Sequence, residues 1–148
     1  MIPIEIRSAN TEDLKSIAHV WREAWLSTGL ATPDDPDAQQ LKARLLSADA
    51  KDWTLYVACD HNDVVGFIAF DVEKGWVRQL FVSPARQGHA IGSRLLALAK
   101  QTMPTGFWLR TDAKNRAARR FYERESMHLV SEAPHPDFGK MMAKYEWP

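Results

Sequence analysis

The sequence predicts an α/β fold, with a mixed sheet of about seven strands flanked by about four helices. Three observations carry this reading. Short alternating strand patterns interleave with amphipathic helical stretches. The order of elements runs β-α-α-β-β-β-α-β-α-β-β. One apolar strand passes through a glycine-bearing loop directly into a helix, which sets a ligand crevice beyond the carboxyl end of a strand.

Residues 3–8 (PIEIRS) alternate apolar and polar, as a half-buried strand does. Asn10 and Thr11 offer capping oxygens, and Glu12 and Asp13 suit the positive end of a helix. Leu14, Ile17, Ala18, Trp21, Ala24 and Trp25 follow at helical spacing, and Gly29 is the stop. Residues 31–37 (ATPDDPD) form a loop, and a second amphipathic helix is expected over about 37–48, with Leu41, Leu45 and Leu46 inward.

Residues 53–60 and 64–72 are strand patterns around a turn at His61, Asn62 and Asp63, which is a hairpin signal. Lys74 and Gly75 punctuate before the strand at 76–82 (WVRQLFV). The helix after the glycine-bearing loop covers about 90–102, and Pro104 ends it. Residues 106–111 (GFWLRT) form a strand and 114–125 a helix. Strands at 127–132 and 140–147 close the chain around an APHPDFG loop.

The 148 residues suit one compact domain, and a 45% hydrophobic, 26% charged balance is that of an ordinary globular protein. Nineteen basic and nineteen acidic side chains cancel, so no global field favours nucleic acid or anionic lipid. Cys59 is the one cysteine, which excludes an intramolecular disulfide and a cysteine-based zinc cluster. The start, MIPIEIRSANTEDL, lacks the apolar core of a signal peptide, and no stretch approaches the ~20 apolar residues needed to span a bilayer. A soluble, cytoplasmic protein without membrane or nucleic-acid partners is expected, and no residue cluster asks for a metal.

The chemistry-bearing stretch is LFVSPARQGHAIGSRLL (80–96). Gly88, Ala90 and Gly92 have little or no side chain, so backbone amides can approach an anion closely. The helix start adds unpaired N–H groups and the positive dipole end, which together make a pyrophosphate site. Arg86 can add a charged contact and Ser93 a hydroxyl. No Gly-Lys-Ser/Thr follows, so this is no Walker A loop, and no ribose-binding acid lies at the spacing of a dinucleotide fingerprint. A tight turn that binds nothing would show the same glycines.

Residues 115–123 (NRAARRFYE) form the second informative stretch. Asn115, Ala118 and Tyr122 fall at i, i+3 and i+7 and share a helical face. A small residue at 118 lets the helix approach a thin ligand. Tyr122 can present a phenol, or can simply pack beside Phe121 in the core.

The segment Gln87-Gly88-His89-Ala90-Ile91-Gly92 resembles the Gln/Arg-x-x-Gly-x-Gly/Ala loop of the GNAT superfamily of N-acetyltransferases. The preceding LFVSP resembles that family's fourth strand, and NRAARRFYE its Asn-x-x-Ala-x-x-Phe-Tyr-Glu helix. The chain departs at Ala90, where glycine is usual and where alanine disfavours positive φ, so a slightly altered loop is expected. Ser126-Met127 stand where the family has Gly-Phe.

The resemblance implies a mostly antiparallel sheet and acetyl-CoA as acyl donor. Leu80, Phe81 and Val82 would meet its pantetheine arm. Arg86, Gln87, Gly88, His89, Ala90, Ile91, Gly92 and Ser93 would meet the pyrophosphate, with Asn115, Ala118 and Tyr122 completing the cofactor site. Tyr122 would be the general acid for the CoA thiolate, and the acceptor a primary amine on a small molecule or peptide. Trp21, Trp25 and Trp76 are candidates to line the acceptor side.

Many relatives carry a glutamate on the fourth strand as base. Here the strand reads GWVRQLF, which leaves Glu73, Asp71 and Asp112 as candidates. Peptide α-amines, lysine, polyamines, amino acids and antibiotic amines all fit as acceptors, and a homodimer through a sheet edge is compatible with the resemblance. Three other readings stay open: a CoA-binding module without catalysis, another pyrophosphate ligand on the same loop, and a nucleic-acid contact through Arg116, Arg119 and Arg120.

Overall fold

A computed structural model describes residues 3–88 and 90–148. Its strands are β1 (Ile4–Ser8), β2 (Thr54–Asp60), β3 (Asp63–Asp71), β4 (Trp76–Val82), β5 (Phe107–Asp112), β6 (His128–Pro134) and β7 (Met141–Trp147). Its helices are α1 (Leu14–Ser27), α2 (Ala38–Leu45), α3 (Ile91–Thr102) and α4 (Arg116–Arg124), with short 3-10 turns between some elements. The observed order is that expected from the sequence.

The start of α1 is over-determined. Asn10 accepts from the Glu12 amide at 2.9 Å, and Asp13 accepts from the Asn10 amide at 2.8 Å. Arg7 on β1 then grips both Asp13 oxygens at 2.7 and 2.9 Å, tying strand to helix. A reciprocal cap of Asp37 and Gln40 opens α2. That helix ends at Leu45, earlier than the pattern suggested. Leu41 and Leu45 are buried as expected, but Leu46 caps the helix and is 61% exposed. The expectation that Leu46 faces inward fails because the chain turns away one residue too soon.

The sheet order is β1-β2-β3-β4-β5-β7-β6. Every pairing is antiparallel except β4 with β5. One core lies under α3 and α4, with Ile68, Phe70, Leu95, Leu96, Leu109 and Tyr145 at its centre. The other lies under α1 and α2, around Ile17, Trp21, Val57 and Phe67. No helix among the described residues is long and apolar enough to cross a membrane.

The parallel pair decides where the sheet opens. A single ladder pair, Trp76 with Trp108, joins β4 to β5. The two indoles stack at 4.4 Å and hold the amino-terminal ends together. Beyond them the strands are unpaired, so the sheet opens as a V toward the carboxyl ends.

Candidate active site

The V opens where α3 begins. Val82 ends β4, and the chain turns through 83–90 into α3. Gly88 has φ 87°, with open space around the position of a Cβ. Ala90 has φ 61° and ψ 14°, so it takes the left-handed conformation that glycine would have taken freely. Ala90 thus adopts the positive φ that alanine disfavours and bears a strain of about 1–2 kcal/mol.

No side chain caps α3, and its first turn carries no acid. The first helical amides are thus available to an anion at the positive end of a twelve-residue helix.

The neighbouring side chains are more occupied than local sequence indicated. Arg86 donates to buried Asp60 on β2. Gln87 folds back to donate to the Val82 carbonyl at 3.1 Å. Ser93 donates its hydroxyl to Glu125 at 2.9 Å, beyond the end of α4. The Ile91 side chain is in the core. Gly92 allows close packing: a Cβ there would stand 3.2 Å from Phe121 Cζ. The side chains of the loop thus brace it, and its unspent donors are backbone amides. His89 lies outside the described residues.

Across the opening, α4 starts just beyond the end of β5. Asn115 caps it by accepting from the Ala118 amide at 3.1 Å. On the α3/α4 side, Leu80, Val82, Ala118 and Phe121 line one partly buried apolar cluster with Tyr122, which is 8% exposed. Phe121 meets Tyr122 edge-on at 5.3 Å, and Tyr145 is 6.0 Å away. Burial alone pushes the Tyr122 phenol above its ordinary value, with no hydrogen bond or nearby charge contributing.

Tyr145 is the contrast. Its hydroxyl donates to Glu123 at 2.6 Å and accepts from Arg119 at 3.1 Å. Arg119 also reaches the Ala113 carbonyl and Glu132. These bonds fasten α4 to β7 and explain Glu123 and Arg119 without a ligand.

The opposite face carries the tryptophans. Trp21 is sunk between Phe67 and Phe81 and is a core residue, removed from any acceptor surface. Trp25 donates to Asp35 at 2.7 Å, and Lys140 stands 5.0 Å from its ring, so it joins the α1–α2 loop to the β6–β7 loop. Phe81 also points to this face, away from Leu80 and Val82.

Trp76 is half-buried on the same face, under Arg78, which lies 3.5 Å above its ring. Arg78 is there because β4 carries an extra residue: Ala69 pairs with Gln79, but Phe70 pairs with Val77. Arg110 of β5 and Lys144 of β7 complete a set of cations and tryptophans that the sequence reading missed. Its signal was present as Trp-x-Arg in both central strands, at 76–78 and 108–110.

Asp71 and Glu73 lie at the β3–β4 turn, at the closed end of the V. Asp71 is buried and accepts from the Lys74 amide. Of the three carboxylates considered, Asp112 stands at the open end. It alternates with Leu109, which faces the α3/α4 core, and so projects to the other face. His135 is held neutral by burial and by Arg110, and its Nδ1 accepts from the Asp137 amide, which leaves the ring proton on Nε2. It is no poised base. No group of three or more His, Cys, Asp or Glu that could hold a metal is found among the described residues.

Fold and cleft together define a split-sheet α/β domain with an uncapped helix start at the opening. The model of the Acetyltransferase (GNAT) family matches residues 14–126, and the chain belongs to that family. No curated protein matches it. Among solved structures it is similar to the PaiA N-acetyltransferase of Thermoplasma acidophilum in complex with coenzyme A, at 20% identity and TM-score 0.77, with 98% of this chain and 99% of that one covered. It is similar to YncA of Salmonella typhimurium, a putative acetyltransferase with acetyl-CoA, at 18% identity and TM-score 0.73, covering 97% and 92%. A third is the ribosomal-protein-S18-alanine N-acetyltransferase of Escherichia coli, at 18% identity and TM-score 0.75, covering 99% and 94%.

Proposed function

We propose that the protein transfers the acetyl group of acetyl-CoA to a primary amine by direct attack on the thioester. The observation that carries this reading is the opening of β4 from β5 beside an uncapped helix start. An uncapped start suits a pyrophosphate, and unpaired strand edges suit a ligand arm built from amides. The two sit in the right order along one cleft.

Acetyl-CoA supplies the activated acyl group. The backbone amides of Gly88, Ala90, Ile91, Gly92 and Ser93 hold its pyrophosphate, and the β5-facing edge of Leu80, Phe81 and Val82 pairs with its pantetheine. N–H groups on that edge donate to the acyl carbonyl oxygen as negative charge develops there. The amine must be uncharged to attack, although a lysine-type ammonium has pKa ~10.4. Asp112, at the open end on the far face, takes that proton directly or through water. The N–C bond forms, the C–S bond breaks, and Tyr122 donates its proton to the sulfur. A buried phenol with a raised pKa is protonated throughout the neutral range, the state an acid must start in.

Thermal-shift titration with CoA, ATP and NAD tests the ligand, and thiol release from acetyl-CoA across an amine panel tests the reaction. CoA at 100 times its dissociation constant is expected to add about 2.7 kcal/mol of stability, with ATP and NAD adding little. Equal protection by all three would overturn the donor assignment. Binding without amine-dependent thiol release would favour a CoA-binding module of the same fold.

A further inference from the structure

The face of the sheet opposite α3 and α4 carries a row of cations stacked on indole rings. Because Trp76 is registered with Trp108, Arg78 and Arg110 stand roughly level, one step nearer the open end of the V. Arg110 pairs in turn with Lys144 on β7. Three cations therefore run side by side across β4, β5 and β7.

Their floor is aromatic. Arg78 lies 3.5 Å from the Trp76 ring and 4.9 Å from Trp53. Arg110 lies 5.3 Å from Trp76 and 5.6 Å from Trp108, and Lys144 4.8 Å from Trp108. All of these residues are half-buried.

Like charges side by side across strands destabilise a sheet. The protein offsets this only in part. Lys144 reaches Glu146 at 3.8 Å. Asp71 and Asp49 act on Arg78 through space, against burial and the repulsion of Arg110. Among the described residues, neither Arg78 nor Arg110 makes an ion pair or side-chain hydrogen bond. Two guanidinium forks are thus held on the stacked indole rings that join β4 to β5, with their hydrogen-bond donors unspent among the described residues.

We propose that this row is the acceptor subsite, and that the amine acetylated also carries an oxyanion, carboxylate or phosphate, which Arg78 and Arg110 bind. The inference rests on the acetyl-transfer reading above. A guanidinium fork matches either oxyanion in a bidentate way, and an indole floor keeps its plane oriented. Asp112, the proton acceptor, is two residues beyond Arg110 on the same face, ~6.7 Å along the strand. That spacing suits an acceptor whose amine and anion are a few bonds apart. Polycationic amines are disfavoured, because the row repels them.

The test compares matched acceptors: amino acids against their amides, phosphoethanolamine against ethanolamine, and spermidine. The anionic member of a pair is expected to be preferred at least tenfold in kcat/KM. The carboxylate and phosphate arms identify which oxyanion is read. Arg78→Gln and Arg110→Gln should each raise KM for the anionic acceptor about ten- to hundredfold, with kcat changed little. Arg110→Lys should retain part of the preference, and acetyl-CoA affinity is the control for folding in every variant.

Neutral amines or spermidine used as well as anionic ones, or an unchanged preference in both glutamine variants, would overturn the subsite while leaving acetyl transfer intact. If no acceptor is turned over, thermal shift in the presence of CoA decides. Stabilisation by the anionic compounds that both glutamine variants lose supports the subsite, and absence of stabilisation overturns it. Failure of acetyl-CoA itself to bind would be seen separately and would count against the donor reading.

Discussion

Replacing Tyr122 by phenylalanine removes one oxygen and tests mechanism and structure at once. The ring is buried, while its hydroxyl makes no hydrogen bond among the described residues and is not sealed from solvent. Its removal strands no partner and should change stability by less than about 1 kcal/mol, about 3 °C in Tm for a chain of this length. Turnover should respond far more. A positioned general acid contributes about 10²–10⁴-fold, so kcat is expected to fall at least a hundredfold, about 2.7 kcal/mol of barrier. The KM for acetyl-CoA should stay within a few-fold, because the proposed mechanism gives the pyrophosphate and pantetheine to backbone groups. Thiol release measured beside a melting curve gives both readouts. The raised phenol pKa also means that the wild-type rate should show no loss from Tyr122 ionisation below pH ~10. A kcat within threefold of wild type would refute the acid assignment. A large fall in Tm would refute the claim that the hydroxyl lacks a partner.

Tyr145→Phe should behave oppositely, since it strands Glu123 and Arg119; a loss of about 1.5–3 kcal/mol is expected in urea unfolding. Ala90→Gly relieves a left-handed alanine but adds freedom to the unfolded chain, for a net gain of about 0.5–1 kcal/mol by the same measurement. The Arg7 hydrogen bonds hold the Asp13 carboxyl below its ordinary value. A depressed native pKa contributes stability above the unfolded value of ~3.9 and loses it as pH falls through the native one. Asp13→Asn should accordingly be less stable than wild type at pH 6, and the gap should close as pH drops below about 4. A gap that does not depend on pH would refute the linkage.

Local sequence was enough wherever the cause is local. The cap at Asn10, strand alternation and the strand–loop–helix unit at 80–93 depend on neighbours a few residues away, and they stand as read. Long-range contacts were illegible where a distant group decides. Ser93 looks free to meet a phosphate until Glu125, 32 residues on, takes its hydroxyl. Arg86 looks like an anion ligand until Asp60, 26 residues earlier, accepts from it. Trp21 and Trp25 share a helical face by periodicity, yet Phe67 and Phe81 claim one and Asp35 the other. Ala90 argued against a left-handed turn, but intrinsic preference amounts to only about 1–2 kcal/mol, and the fold overrides it.

The sequence by itself determined the order of elements, the family resemblance and the two segments, 80–93 and 115–123, that carry it. Those properties are written in spacing along the chain. The tertiary structure alone decided that β4 and β5 part after one pair, because that depends on how a bulged strand and a stacked pair of indoles meet. It alone brought two Trp-x-Arg segments, 32 positions apart in the chain, into one cationic row across β4, β5 and β7. Register between strands carries no local signature, so that row became legible only once the sheet was assembled.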